Sequence, residues 1–382
     1  MKKTLEEPIM IYVHVPFCVR KCLYCDFFSG PFGKEAEERY FESVLTEIGE
    51  SPYAYTGRHV KSVFFGGGTP SSVSPNRIGE VLKHIREAFT VDRDAEITLE
   101  ANPGTVTTET LSKYGEMGVN RLSFGLQSAD DALLKKIGRI HTFGDFLKCF
   151  ESARAAGFRN VSVDLIAGLP SDTPENFKKG LKSVLSLKPE HFSVYSLIIE
   201  ENTPFYALYG PSGSKCAELP DEDSEREMIH GAKAVLEDAG YRRYEISNFA
   251  LPGFESRHNN GYWTHVPYLG FGSAAASFID GNRFKNASAI DYLDLPYEET
   301  ETLSETDLEN EFLMLGLRRT DGVSDGDFRS RFGRSFFEVR GEEIRRLVSE
   351  GLLEITGEGD IKKIRLTERG LDLGNLVFQA FL

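Results

Sequence analysis

No apolar run in this chain of 382 residues approaches the ~20 residues that a membrane-spanning helix needs, so no span is expected. The opening Met1-Lys-Lys-Thr-Leu-Glu-Glu-Pro has no apolar core, so no signal peptide is expected either. Cysteine is scarce. There are five, and three are bunched together, which is no disulfide framework. These absences point to the cytoplasm and make any membrane contact peripheral. Basic residues are outnumbered, 44 Lys and Arg against 59 Asp and Glu, for a net charge of −15. That balance disfavours a phosphate-backbone partner, and no nucleic acid is expected. Tryptophan occurs once. No low-complexity tract and no repeat beyond an alternation of strands and helices is visible.

What is present suits a globular protein of two or three domains: 40% hydrophobic and 12% aromatic residues. Strand-like runs begin at Ile11, Ser62, Glu96, Arg121, Val161 and His191. Amphipathic segments lie near 35–50, 74–90, 107–118, 143–157, 173–187 and 222–240. Six βα units in series predict an α/β fold with a parallel sheet, either a partial (β/α)6 barrel or a flat doubly wound sheet. The barrel is assigned to residues 1–240 and a barrel extension to 241–304. Residues 305–382 read as three helices and a hairpin, a small winged-helix-like α+β domain. A winged helix raises DNA binding as a rival function. Its third helix, however, carries Glu342, Glu343 and Glu350 beside Arg345 and Arg346, a poor match for phosphate. Cys149 lies in a helical pattern and reads as core, Cys216 in a polar loop, and Pro211–Pro220 is a polar insertion without an assigned role.

The chemistry begins after the first strand. Cys18, Cys22 and Cys25 form a C-x3-C-x2-C run. A [4Fe–4S] cluster normally takes four Cys thiolates, so three leave one iron open to a non-protein ligand. An open iron on a low-potential cluster is what reductive cleavage of S-adenosylmethionine (SAM) needs. A zinc site short of one ligand is the bland alternative. The spacing resembles that of the radical SAM superfamily. The next strands end in Gly66-Gly67-Gly68-Thr69-Pro70, in Glu100-Ala-Asn102-Pro103, in Gly125-Leu-Gln127-Ser128, and after Asp164 in Gly168-Leu-Pro170. In a βα barrel such ends converge on the face that holds the active site. The Gly triplet lets backbone approach a ligand, and it lacks the Lys of a phosphate-binding P-loop. Glu100 and Asp164 offer acceptors for hydroxyls or an ammonium. Gln127 donates and accepts, and Arg139 can pair with a carboxylate. Singly, each could be a cap or a surface ion pair.

The runs Tyr12-Val-His14-Val-Pro16-Phe17-Cys18, Gly66–Pro70, Glu100-Ala-Asn-Pro, Arg121–Gln127 and Gly138-Arg139-Ile-His141 resemble the oxygen-independent coproporphyrinogen III oxidase family over nearly the whole chain. The resemblance implies a [4Fe–4S] cluster on Cys18, Cys22 and Cys25. It implies a SAM site formed by Tyr12, Tyr24, Gly67, Gly68, Thr69, Glu100, Gln127, Arg139 and Asp164. The family holds a dehydrogenase and a haem chaperone. The dehydrogenase carries a further cysteine two positions after the third ligand, and here that position is Phe27. The chaperone carries an H-N-x-x-Y-W motif, and here His258-Asn-Asn-Gly-Tyr262-Trp263 matches it. The Pro usual before Tyr24 is Leu23. The resemblance therefore implies a protein that binds haem and passes it to haem-accepting, respiratory proteins, supplied by an electron donor. Oxidative decarboxylation of coproporphyrinogen III is the alternative. His258 would contact haem, since a neutral imidazole is a good iron ligand and Tyr262 and Trp263 can pack on a macrocycle. The bland reading makes this run a loop filling a gap over the barrel mouth.

Overall fold

In the computed structural model, which describes residues 7–382, the strand-like runs build one twelve-stranded sheet. The opening six residues, part of the stretch read as lacking a signal-peptide core, lie outside the described residues. The first six strands are β1 (Ile9–Val15), β2 (His59–Gly67), β3 (Thr90–Ala101), β4 (Arg121–Gln127), β5 (Val161–Ala167) and β6 (His191–Ser196). Each pairs in parallel with the next. Their order in space is their order in sequence. A doubly wound sheet needs a point where strand order reverses, so that alternative falls away and the partial barrel stands.

The crossovers are α1 (Lys34–Glu50), α2 (Pro75–Ala88), α3 (Thr108–Met117), the short α4 (Asp131–Lys136), α5 (Phe143–Ala155) and α6 (Pro174–Leu185). Their starts follow capping chemistry. Ser74 Oγ accepts from Asn76 N–H with Pro75 at the first helical position. Thr107 with Thr110, and Thr142 with Asp145, form reciprocal capping boxes. After β6 come α7 (Pro204–Tyr209) and α8 (Glu222–Asp238). The apolar faces of sheet and helices share one core that includes Val13, Phe65, Leu99, Phe124 and Cys149.

Residues 241–304, expected as one extension, feed both edges of the sheet. β8 (Asn248–Ala250) adds antiparallel to β6, and β7 (Arg242–Arg243) pairs antiparallel with β8 at the sheet's edge. The chain then forms α9 (Arg257–Trp263) and crosses to the other edge. There β9 (Tyr268–Phe271) pairs in parallel with β1, and β10 (Ala276–Ile279), β11 (Asn282–Lys285) and β12 (Glu299–Thr302) follow antiparallel. The barrel stays open between β12 and β7.

The C-terminal module comprises α10 (Glu305–Gly316), β13 (Val323–Ser324), α11 (Asp325–Phe332), α12 (Phe336–Val339), α13 (Gly341–Ser349), β14 (Leu353–Thr356), β15 (Lys363–Leu366), α14 (Glu368–Asp372) and α15 (Gly374–Gln379). Its sheet runs β13-β15-β14, antiparallel throughout, over a second core built on Phe328, Phe336, Leu347 and Phe381. This is the winged-helix-like arrangement. No helix among the described residues is long and apolar enough to cross a membrane.

Candidate functional site: a cleft from the cysteine loop to the C-terminal module

The cysteine loop is fixed by backbone pairing at the C-terminal ends of β1 and β2. Gly68 N–H donates to Val15 O at 2.9 Å and Thr69 N–H to Phe17 O at 2.8 Å. Cys18 N–H donates to Gly30 O at 3.0 Å, which closes the loop on itself. A Cβ on Gly68 would lie 2.8 Å from Val15 O and 2.9 Å from Phe17 O, so glycine is required by this backbone approach. Leu23 N–H donates to Ile137 O at 3.1 Å. A proline there could not make that bond, which gives the departure at Leu23 a physical consequence.

The three thiols line the wall of a cleft of about 1690 Å³. Cys18 Sγ lies 3.4 Å from Thr69 Oγ1, and Arg139 Nη1 donates to Cys22 Sγ at 3.4 Å. Burial raises the Cys18 and Cys25 thiols above their ordinary range. Among the described residues no group of three Cys, His, Asp or Glu side chains is placed to hold a single metal ion. Three thiols spread along a cavity wall suit a multi-iron cluster better than a lone zinc, whose ligands crowd within ~2.3 Å of one ion.

The strand-end acids lie deeper. Glu100 Oε2 accepts from Gly67 N–H at 3.2 Å. Burial, with the charge of Asp164 adding, pushes its carboxyl up to about 8. Asp164 is raised by burial too, although Ser123 Oγ donates to it at 3.2 Å. Neither carboxylate has a cation within ion-pair distance among the described residues. Two half-buried acids on the cleft wall without an ion pair suit a cationic ligand, and SAM brings a sulfonium and an ammonium. Gln127 sits at φ 71, a left-handed backbone uncommon for a side-chain-bearing residue, at a register shift between β4 and β5. Arg139 is more committed than a free carboxylate clamp. Its Nη2 donates to Asn102 Oδ1 at 2.6 Å and to Gly125 O.

Every residue expected at the cluster and SAM site lines this cleft; His258 does not. The His258-to-Trp263 run is helix α9, not a loop, and it starts with Ser256 Oγ accepting from Asn259 N–H. The His258 imidazole is 1% exposed. Its Nδ1 lies 2.9 Å from Ser62 Oγ and its Nε2 3.0 Å from Tyr262 Oη. Burial, with Arg121 adding, lowers it to about 3, so it is neutral. Both nitrogens are therefore occupied, and in this arrangement neither is available to iron. The residues of that run which do reach the cleft include Tyr262 and Trp263.

Two contributors escaped the sequence reading. Asn102 bridges Thr69 Oγ1, at 2.7 Å, to Arg139. It stood at a polar strand end, which was the available signal. His14 fills the space beside Gly67, where a Cβ would come within 2.5 Å of its ring. Its Nε2 lies 2.8 Å from Phe28 O, a pure acceptor, so that nitrogen carries the proton. Nδ1 then accepts from Tyr12 Oη at 3.1 Å, which turns the Tyr12 hydroxyl toward His14.

Comparison with known proteins agrees with this architecture. The model of the Radical SAM superfamily matches residues 12–184, and that of the HemN C-terminal domain matches 303–373. A Bacillus subtilis (strain 168) protein named Heme chaperone HemW is 38% identical over 380 residues, 97% of this chain and 98% of its own length. A mouse protein named Radical S-adenosyl methionine domain-containing protein 1, mitochondrial, is 34% identical over 94% of this chain and 84% of its own. The solved Escherichia coli coproporphyrinogen III oxidase HemN, described as a radical SAM enzyme, superposes with a TM-score of 0.84 at 24% identity. The superposition covers 100% of this chain and 91% of that one, a likeness of fold. The chain belongs to the HemW family of radical SAM proteins.

Proposed function

We propose that this protein carries haem and delivers it to haem-dependent proteins, with a SAM-binding [4Fe–4S] cluster at the cysteine loop. Cys18, Cys22 and Cys25 would hold the cluster. Glu100 and Asp164, with the backbone at Gly67 and Gly68, would take the cationic end of SAM, and Thr69 and Gln127 its polar groups. Tyr12 and Tyr24 would flank it, and Arg139 would hydrogen-bond the Cys22 sulfur. Bound SAM on a reduced cluster supplies, when cleaved, a 5′-deoxyadenosyl radical.

The observation that carries the reading is the extent of the cleft. It runs from the three thiols to Tyr262 and Trp263, which leaves room for a macrocycle beside SAM. The name Heme chaperone borne by relatives along the full chain supports the same reading. Phe27 stands 66% exposed where the dehydrogenase pattern has its extra cysteine. The exposed side of α13 carries Glu342, Arg345 and Arg346, and Arg346 lies 3.7 Å from Glu350 at the helix end, which favours a covering role for the C-terminal module over DNA binding. The test is anaerobic purification, haem titration, and product analysis with coproporphyrinogen III under reducing conditions with SAM. Stoichiometric haem binding without protoporphyrinogen IX is expected. Turnover of coproporphyrinogen would replace the carrier by the dehydrogenase.

A further inference from the structure

The cleft is larger than one ligand needs. Small-molecule sites typically measure roughly 300–1,000 Å³. At about 1690 Å³ this cavity exceeds that, and beyond the thiols its wall is formed by α9, the residues after β7 and the C-terminal module.

That wall carries guanidiniums without an ion pair and buried donors without an acceptor. Arg318 follows α10, and its guanidinium lies 4.5 Å from the centre of the Trp263 ring and 5.6 Å from that of Phe378. Arg318 Nε and Trp263 Nε1 are both buried donors without a partner. Arg243 lines the same wall and spends Nε and Nη2 on the carbonyl of Ile246. The acid between them is Glu245, which is buried and accepts from Ser247 N–H at 2.9 Å. It makes no ion pair with either guanidinium among the described residues. Glu245, Glu368, Asp372 and Glu237 surround Arg243, yet among the described residues neither Arg243 nor Arg318 makes an ion pair, Asp372 and Glu368 being paired with His230 and Lys233. Unpartnered buried donors are rare, because each forfeits its hydration. Around them the wall is aromatic: beside Trp263 and Phe378, the rings of Tyr262 and Tyr268 meet edge to face at 4.7 Å. A ligand that satisfies both halves has a flat apolar body and at least one carboxylate.

We propose that Arg318, assisted by Arg243, anchors the propionate carboxylates of a tetrapyrrole whose ring rests on the Trp263 wall. The inference rests on the haem-carrier reading and adds the anchor that the reading leaves unnamed. Guanidinium is suited to it, since its fork pairs two-pronged with a carboxylate and its face stacks on an indole.

The test titrates the cluster-loaded wild-type chain, Arg318→Gln and Arg318→Lys with haem and with haem dimethyl ester, whose propionates are capped. Wild type should bind haem at least about tenfold more tightly than the ester, the scale of one charge-assisted contact. Arg318→Gln should bind both equally, and Arg318→Lys should recover part of the preference. The SAM-induced change of the cluster's EPR signal should survive in both variants. Equal binding of haem and ester by wild type overturns the anchor, even if a variant fails to fold. So does an undiminished preference for haem in Arg318→Gln. If wild type binds neither compound, the haem-carrier reading fails first and the anchor with it.

Discussion

The floor and the mouth of this barrel carry the same kinds of side chain to opposite fates. On the floor, His191 Nδ1 lies 2.8 Å from Ser162 Oγ and its Nε2 2.8 Å from Tyr244 Oη. His258 is likewise shared between Ser62 and Tyr262. Glu96 accepts from the backbone N–H of Arg257 and of His258, each at 3.1 Å, and so holds the start of α9. At the mouth, Glu100 and Asp164 are half-buried, face a cavity and make no ion pair among the described residues, Arg121 acting on them only from a distance. Residue type does not separate the two sets; saturation does. A network whose donors and acceptors are spent inside the protein is structure, and one left short is a place for a ligand.

The sharpest way to break this comparison is at the cluster loop. Cys22→Ala should abolish the cluster outright, leaving far fewer than four irons per chain after anaerobic reconstitution, by iron and sulfide assay. Retention of a full cluster would move the ligand set elsewhere. On the floor the expected loss is in stability. His258→Ala removes two hydrogen bonds and leaves a hole beside Phe64, whose ring centre lies 5.1 Å away. That should cost about 2–4 kcal/mol in denaturant unfolding. The variant should keep its iron–sulfur spectrum and most of its haem affinity. A lost haem spectrum in a stably folded variant would return His258 to the haem site. At the mouth the order reverses. Glu100→Gln or Asp164→Asn should spare stability and weaken SAM by roughly tenfold to a hundredfold, the range of about 1.5–3 kcal/mol for a hydrogen bond to a charged group. EPR of the reduced cluster reads this, and an unaltered SAM response in both variants would show the pocket to be misassigned.

The strands and long helices were legible because their periods are plain: Ile11–Val15 and Val161–Leu165 read as buried parallel strands, and Thr107 and Thr142 announce helix starts. The cysteine loop and the strand-end acids were legible because spacing and strand ends locate them. His258 was not. The bland reading makes the His258 run a loop, but it is helix α9, and its Gly261 serves packing. A Cβ on it would lie 2.0 Å from Met10 Sδ, so α9 presses against β1 at a place only a bare backbone fits. Nor could local pattern foretell that β9 would pair with β1, since that contact joins residues far apart in the chain. Arg318 was missed for the same reason. Its neighbours Trp263 and Phe378 come from two different modules.

The smallest effect, and the one that separates floor from mouth by sign, is the response to pH. His258 is neutral in the folded protein, held down to about 3 by burial. In the unfolded chain an ordinary histidine titrates near ~6.5. Above that value neither state binds the proton and the stability is intact. Below it the unfolded chain takes a proton that the folded one refuses, so stability falls as pH falls, until the folded-state value is passed. One such group costs about 1.4 kcal/mol per pH unit in this window. Glu100 runs the other way. Its folded value of about 8 means that acidification from there toward the ordinary carboxylate value adds stability. The two partly cancel in the wild type, so its acid slope alone decides little. The decisive measurement is a difference: denaturant unfolding of wild type and of His258→Gln at pH 7.5 and 5.5. Glutamine can occupy part of the bond between Ser62 and Tyr262 and does not titrate. The advantage of wild type over the variant should therefore shrink by about 1.4 kcal/mol between the two pH values. Parallel loss in both proteins would mean that the His258 imidazole is not the closed, neutral group of the floor. The same pair of measurements on Glu100→Gln should show the opposite trend, with wild type gaining on the variant as the pH falls.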